Sequence, residues 1–423
     1  MVAPGSTPSP SRKAPGLTTV TDARSAVEPR TEGNLTLAVL ALATGGFAIG
    51  TTEFVTMGLI REIADGIGMT IPQAGHVVSA YALGVVVGAP TLAFLGARLP
   101  RRMLLLSLMA AYMLFNAASA LATDQTTLLV LRFLDGLPHG AYFGVASLVA
   151  ASLASPERRG RAVAAVMLGL SFANVAGVPA ATWLGQHAGW RATYAAVAGL
   201  SLLTVLLIWL FVPATPGNPA ATGRRELAAL KRLPVWLAAL AGSVGFGGLF
   251  AVYSYVAPTI TELGGLGDAA VPVFLLVFGV GMVVGTWVAG RMADWSVQKS
   301  LEVGTAGLIV ALLAYWALAG AGWWLLPVTF FVTALGSVLV VNLQLRLMEA
   351  AGEAETIGAA INHSALNVGN ALGAWLGGVV IAAGLGYRAP ALVGAALAVL
   401  GLVLVLVARV VHTREGHSSA STS

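Results

Sequence analysis

Three charged side chains stand in stretches apolar enough to be surrounded by lipid: Glu53 in AIGTTEFVTMGL, and Arg132 with Asp135 in LLVLRFLDGLPHGAYFGVASLVA. A charge at mid-bilayer costs about 3 kcal/mol on insertion scales unless it is paired or faces water, so such residues are functional candidates by default. Their chemistry would be proton exchange. Burial favours the neutral form of a carboxyl group and a neighbouring cation favours the charged form, so an intramembrane acid beside an arginine can bind and release a proton near neutral pH. Glu53 is the first candidate for the proton carrier, with Arg132 tuning either it or Asp135. Two plainer readings stand beside this one. Arg132 and Asp135, three residues apart, can form an ion pair that only locks a helix to its neighbour, and Glu53 can reach water from the outer end of its helix.

The polar residues around these charges fall into stripes. Arg132, Asp135, Gly136, His139 and Phe143 follow the spacing of one helix face, which is expected to face a water-filled cavity. His139 suits proton relay or a hydrogen bond to substrate, since imidazole titrates in the relevant range. An equally simple role is a histidine satisfied inside the bundle. In AAINHSALNVGNALGAWLGG, His363, Asn367 and Asn370 share a second face, where amides can hydrogen-bond a neutral polar ligand. Tyr81 is a weaker substrate-site candidate. Asn116 and Asn174 read as interhelical hydrogen bonds, worth about 0.6 kcal/mol each. The chain has no cysteine, and no second His or acid at ligand spacing accompanies His139, so neither a metal nor a cofactor is expected.

Helices of a membrane protein must position these residues. The 423-residue chain is 57% hydrophobic and 10% charged, with a mean hydropathy of +0.84, against about 25% charged residues in an ordinary soluble domain. A spanning helix needs about 20 apolar residues. Twelve such runs begin near Leu35, Pro72, Met103, Gln125, Arg161, Trp190, Pro234, Ala269, Ser300, Trp323, Glu355 and Arg388. The dyad alternation of a transmembrane β-barrel is missing. The fold class is therefore an all-α membrane protein. At 1.5 Å per residue, Glu53 and Asp135 both lie about 27 Å from the inner ends of their helices, so all three charges can share one layer.

Residues 1–34, rich in Pro, Ser and Thr and without an apolar segment, read as a disordered tail, and the first hydrophobic helix as the insertion signal. The pI of about 9.7 reflects topology and not a nucleic-acid partner. With the amino terminus in the cytoplasm, inner loops hold Arg98, Arg101, Arg102, Arg158, Arg159, Arg161, Arg224, Arg225, Lys231, Arg232, Arg291, Lys299 and Arg346. Outer loops hold only Arg61, Arg191 and Arg388. That bias places both termini in the cytoplasm.

The chain also repeats itself. GARLPRR from Gly96 returns as GRMADWSVQK from Gly290, SFANV at Ser171 as SALNV at Ser364, and AGWR ending at Arg191 as LGYR ending at Arg388, at offsets of 194, 193 and 197 residues. Such agreement points to duplication. The expected organisation is a six-helix bundle over 35–213, a charged cytoplasmic linker over 214–233, a second six-helix bundle over 234–412, and a cytoplasmic tail over 413–423.

These motifs resemble the major facilitator superfamily over essentially everything after Leu35. LLVLRFLDGLPHG is similar to its fourth-helix motif, with Arg132 and Gly136 in place and Asp135 where a glutamine is common. NVAGVPAATWLG resembles the fifth-helix motif of exporters, carried by Gly177 and Pro179, although Val178 separates a normally adjacent Gly-Pro and Ala181 replaces a usual glycine. Gly96 and Arg98 match the loop motif after the second helix, where Pro100 replaces its usual aspartate; the second copy has Gly290 and keeps Asp294. GTTEFVTMGLI, SAYALGVVVGAP and GLPHGAYFGV further resemble twelve-helix drug:proton antiporters, in the branch of arabinose-efflux-like permeases and actinobacterial chloramphenicol exporters.

The resemblance implies two pseudo-symmetric six-helix bundles around a central cavity, alternating access, a plasma-membrane location, a monomer, and partners limited to a small-molecule substrate, protons and lipid. The few charges of the inferred cavity suit an amphipathic or neutral compound such as an antibiotic. A sugar efflux permease or an uncoupled facilitator is the alternative. An ATP-driven pump would need a phosphate-binding loop, and Lys13, Lys231 and Lys299 lie in none; a polytopic membrane enzyme would need a motif such as HExxH, which is missing.

Overall fold

A computed structural model describes Met1 and residues 32–96, 99–155, 159–214, 231–351 and 355–420. The expected amino-terminal tail, Arg98, most of the linker and the last residues of the carboxy-terminal tail lie outside these. Lipid offers no partner for backbone N–H and C=O groups, so each apolar run closes its hydrogen bonds internally as a helix.

Six long helices make up the first half: α1 (Glu32–Gly58), α2 (Ile71–Gly96), α3 (Arg101–Ala120), α4 (Gln125–Leu153), α5 (Arg159–Phe172, carried on through a π-helical turn Ala173–Gly177 and Val178–Ala188) and α6 (Trp190–Phe211). The second half contains α7 (Leu233–Tyr253), α8 (Ala270–Trp295), α9 (Val297–Leu318), α10 (Leu325–Ala351), α11 (Glu355–Ala382) and α12 (Ala389–Ala420). Their starts agree with the apolar runs to within a turn. Among the described residues, eleven helices are long and apolar enough to cross a membrane. The twelfth, α4, is the helix that carries Arg132 and Asp135.

Local chemistry sets several boundaries. Asp124 caps α4 by accepting from the Thr127 amide. The Thr127 hydroxyl, together with that amide, holds the Asp124 carboxyl below the usual range. Gly189 turns α5 into α6 with φ of 86°, a conformation that side chains disfavour. Arg61 lies in the connection between α1 and α2, on a short helix Ile60–Ile67. Ile60, Ile63 and Ala64 are buried on one face of it, so the segment folds against the bundle.

Helix packing makes the duplication visible. In the first half α1 packs on α5 and α6, α2 on α4, and α3 on α4 and α6; in the second, α7 packs on α11 and α12, α8 on α10, and α9 on α10 and α12. Adding six to each number of the first set gives the second. The halves meet where α2 packs on α11 and α5 on α8, again related by six.

Small residues let these helices approach. A Cβ on Gly136 of α4 would strike the backbone carbonyl of Tyr81 in α2, and one on Gly84 that of Phe133. Gly285 of α8 lies in the same way against the Ala334 carbonyl of α10. Close backbone contact is what glycine supplies in membrane bundles. Gly290, by contrast, has nothing near its missing side chain.

The apolar core is asymmetric along the membrane normal. One continuous cluster runs the length of the second half, from Val235 and Leu347 to Phe250, Tyr253 and Phe274, and takes in Phe54 and Val78 of the first half toward the end that holds Arg61. Toward the opposite end of the first half, a separate cluster built from that half alone surrounds Leu42, Leu105 and Val149. The two halves therefore share a core at the Arg61 end.

Gly136→Leu is expected to lower thermal stability by about 1–3 kcal/mol through overpacking, whereas Gly290→Ala leaves the melting temperature of the purified protein unchanged. Equal melting temperatures for Gly136→Leu and the parent would remove the close α2–α4 contact from the account.

Candidate functional site

The centre of the first half is a polar network in a dry interior. Arg132 and Asp135 are both fully buried, and Arg132 Nη1 donates to Asp135 Oδ2 at 2.5 Å. The other carboxylate oxygen, Oδ1, accepts from Asn116 Nδ2 of α3 at 2.7 Å. Asn116 Oδ1 in turn accepts from the Thr52 hydroxyl of α1 at 2.9 Å, and Nδ2 also donates to the Tyr112 carbonyl. Both oxygens of Asp135 are thus committed.

The guanidinium of Arg132 is held from three more helices. Its Nη2 reaches toward the Thr52 carbonyl at 3.4 Å and the Thr56 hydroxyl at 3.5 Å on α1. The ring of Tyr81 on α2 lies 4.3 Å from the guanidinium carbon and that of Tyr194 on α6 lies 5.2 Å away. Aromatic faces stabilise a desolvated cation by about 2 kcal/mol. Arg132 and Asp135 were expected to open onto a cavity. The structure encloses them among α1, α3 and α6 instead, because a stripe spaced for one helix face can be covered by neighbours that the sequence of α4 alone does not reveal.

Glu53 is placed differently. It is 7% exposed, which removes the reading of an outer-end residue stretching to bulk water. It sits next to Thr52, whose carbonyl Arg132 approaches. Among the described residues its carboxylate makes no hydrogen bond or ion pair.

His139 and Tyr81, expected near substrate, belong to a hydrogen-bonded chain within the first half. Tyr81 Oη lies 3.0 Å from His139 Nδ1 and 3.0 Å from Tyr112 Oη, and the Tyr112 hydroxyl donates to the Ile49 carbonyl at 3.4 Å. One proton order satisfies the chain: His139 Nδ1–H donates to Tyr81, Tyr81 to Tyr112, and Tyr112 to Ile49. Phe143 then links the halves. His139 packs edge-on to it at 5.4 Å, and His363 of α11 stacks parallel to it at 6.3 Å.

Asn367 and Asn370 continue the stripe from His363 and are 5% and 1% exposed. Asn367 Nδ2 donates to the His363 carbonyl, while its Oδ1 and both amide atoms of Asn370 have no protein partner.

An aromatic cluster joins α1, α7 and α8. Phe54 stacks on Phe250 at 6.3 Å, Phe246 meets Phe250 edge-on at 5.1 Å, and Tyr253 stacks on Phe278 at 3.8 Å. Sequence reasoning did not name these residues. The spacing of Phe246, Phe250 and Tyr253 in GFGGLFAVY was the available signal, since it lies on one helix face.

The motif residues fall in two places. Gly177, buried against Phe47 and Thr51 of α1, closes the π-helical turn that precedes Pro179. Pro179 has no N–H to donate, and the expanded turn accommodates that loss. Gly96 ends α2, and Gly290 and Asp294 are exposed near the end of α8, all remote from the buried charges.

At the opposite end an ion cluster ties the halves together. Arg61 pairs with Glu262 at 3.3 Å and Asp268 at 3.2 Å and donates to the Thr261 hydroxyl, while Gln186 donates to the Asp268 carbonyl. Burial pushes the neighbouring Glu62 carboxyl above its ordinary range. Among the described residues no group of three His, Cys, Asp or Glu could hold a metal ion.

Comparison with known proteins follows the same lines. The family model described as Major Facilitator Superfamily matches residues 42–362. The inner membrane transport protein YdhP of Escherichia coli (strain K12) is 41% identical over 87% of this chain and 94% of its own length. A chloramphenicol resistance protein of Streptomyces lividans is 35% identical over 91% of this chain and 99% of its own. The crystal structure of a D-xylose-proton symporter superposes with a TM-score of 0.71 at 16% identity, covering 88% of this chain and 97% of that one.

Arg132→Leu is expected to destabilise the purified protein by about 3–5 kcal/mol, because it leaves Asp135 buried without its cation. Adding Asp135→Leu should recover much of the loss. A thermal-melt double-mutant cycle measures this, and additive losses would mean that the pair is not coupled.

Proposed function

Because this chain belongs to the Major Facilitator Superfamily, we propose that it is a proton-coupled exporter of a small neutral or amphipathic compound, with Glu53 as the proton carrier. One observation carries this reading. Both Asp135 oxygens are bonded, one by Arg132 and one by Asn116, whereas Glu53 has no hydrogen-bond or ion-pair partner among the described residues. Glu53 can therefore gain or lose a proton without dismantling a hydrogen-bond network. Asp135 cannot, since protonation would weaken its bond to Arg132 and leave a buried guanidinium uncompensated. Arg132, one residue away from Glu53 across the α1 backbone, sets how readily Glu53 ionises.

The cycle then has a simple logic. Export driven by an inward proton gradient requires that proton and substrate alternate on the protein, so that each returning conformation carries only one of them. Protonated Glu53 is compatible with an apolar interior, and its ionised form requires the polar cavity or a ligand beside Arg132. Positive-inside bias assigns the Arg61 end to the outer face and both termini to the cytoplasm, in the inner membrane as for the Escherichia coli relative. A monomer with rocking bodies over 35–213 and 234–412, joined by the 214–233 linker, fits the packing pattern. The Arg61 cluster would then hold the outer face closed, and Gly177 with Pro179 would give α5 its bend.

Substrate class rests on the lining. The aromatic cluster around Phe54 and Phe250 suits a flat apolar group, in keeping with the resistance named for the Streptomyces lividans relative. The amides of α11 suit hydroxyl groups, and so a sugar belongs in the same test.

In vesicles with an imposed pH gradient, chloramphenicol or a sugar is expected to drive proton release with the parent protein and not with Glu53→Gln, which should still fold and insert. Identical fluxes from both proteins would move the coupling role away from Glu53 or make the protein a facilitator.

A second test addresses the outer closure. The chain has no cysteine, so Ser79→Cys gives a single thiol between the halves. Arg61→Ala is expected to speed its reaction with a membrane-impermeant thiol reagent added from outside. An unchanged rate would show that the ion cluster does not hold the outer face shut.

A further inference from the structure

Helix α11 meets its neighbours through two different surfaces. Gly369 and Gly373 press on the backbone of α7, where Cβ atoms would crowd the carbonyls of Ser243 and Gly247. On the other side, the Ser79 hydroxyl of α2 donates to the Ala371 carbonyl at 3.1 Å. At 100° per residue, Asn367 and Asn370 project between these surfaces, on the stripe whose other member, His363, stacks on Phe143 of the first half. The amides therefore point into the seam between the two halves.

Buried amide oxygens without a partner recur in the second half, on Asn342 and Asn362 as well, and Asn370 adds a buried Nδ2 without one. Asn370 is 1% exposed and neither its Nδ2 nor its Oδ1 has a protein partner; Asn367 is 5% exposed with Oδ1 unpartnered. Buried amides in a membrane bundle ordinarily bond across helices, as Asn116 does in the first half. Asn370 and Asn367 together present one donor and two acceptors that no helix uses. Helix packing explains the glycines of α11 but not these atoms.

We propose that Asn367 and Asn370 form a substrate subsite for a neutral group that both donates and accepts hydrogen bonds, a hydroxyl or a carboxamide, with the Phe143–His363 pair as its flat wall. Asn370 Nδ2 donates to the ligand oxygen, and the two Oδ1 atoms accept from its O–H or N–H. A carboxylate ligand would meet two amide oxygens and be repelled, and a purely apolar ligand would leave all three atoms unsatisfied. The site thus selects neutral, hydrogen-bonding compounds and lies on the half opposite the buried acid. The hydrogen-bonding amides and the proposed proton carrier stand on different halves. This assignment rests on the exporter reading but concerns binding, not coupling.

Direct binding to the purified protein, with no gradient, separates the two. Calorimetric titration with chloramphenicol, with its diacetylated form, which lacks the hydroxyl donors, and with arabinose is carried out on the parent, Asn370→Leu, Asn370→Ser, Asn367→Leu and Glu53→Gln. The parent should bind chloramphenicol or arabinose, and Asn370→Leu should weaken that binding by about tenfold or more. Asn370→Ser, which keeps a donor and an acceptor, should lose less and guards against misfolding as the cause. If a chloramphenicol hydroxyl fills the subsite, the diacetate should bind the parent poorly and Asn370→Leu no worse than chloramphenicol does; diacetate binding that Asn370→Leu abolishes instead places the carboxamide there. Glu53→Gln, which mimics the protonated carrier, should bind more weakly than the parent, because proton and substrate alternate on the protein. Unchanged binding in both Asn370→Leu and Asn367→Leu, or no binding of either probe to the parent, overturns the subsite. Lost binding in Asn370→Leu beside normal proton coupling in Glu53→Gln would sustain the subsite while removing Glu53 from the mechanism.

Discussion

A guanidinium with no access to water is the constraint around which the first half is arranged. Arg132 is fully buried, and desolvating such an ion costs several kcal/mol even after relaxation. Four helices share the task of compensating it: α4 supplies Asp135, α1 the Thr52 carbonyl and Thr56 hydroxyl, α2 the Tyr81 ring and α6 the Tyr194 ring. Asn116 of α3 then orients Asp135. Removing any one contact leaves polar groups in a medium that cannot satisfy them, and so the network specifies how these helices are placed relative to one another.

That constraint separates two acids that look alike on paper. Both oxygens of Asp135 are occupied, by Arg132 and Asn116, whereas the Glu53 carboxylate has no hydrogen-bond partner among the described residues. The same glycines that let α2 approach α4 bring Tyr81 within reach of Arg132 and His139. Close packing and electrostatics are thus one design: without Gly84 and Gly136 the rings and the guanidinium would not meet.

The halves, by contrast, are joined by few polar contacts. Arg61 with Glu262 and Asp268 forms a solvent-accessible cluster, and exposed pairs of this kind contribute at most about 1 kcal/mol each. The shared apolar core at the same end is the stronger tie. The Arg132 network, by contrast, lies inside one half and cannot come apart without large cost.

How much of this was legible beforehand follows from what each signal measures. Hydropathy runs located the twelve helices to within a turn, because lipid forces every apolar segment of that length to satisfy its own backbone. The repeated loops indicated a duplication that reappears in helix packing as a shift of six. The i, i+3 spacing of Arg132 and Asp135 allowed the ion pair, and the spacing of His363, Asn367 and Asn370 defined their shared face. Periodicity reports only which residues lie on one side of a helix. Whether that side meets water, lipid or another helix depends on partners hundreds of residues away, and it took the tertiary structure to enclose Arg132 and Asp135, to leave Glu53 without a partner, to place Asn116 between charges, and to assemble the aromatic cluster from three helices. The sequence by itself determined the helices, their likeness in two halves and the charges that had to be explained. Tertiary structure decided which of those charges are neutralised, because compensation of a buried ion is a matter of distances in space and not of spacing along the chain.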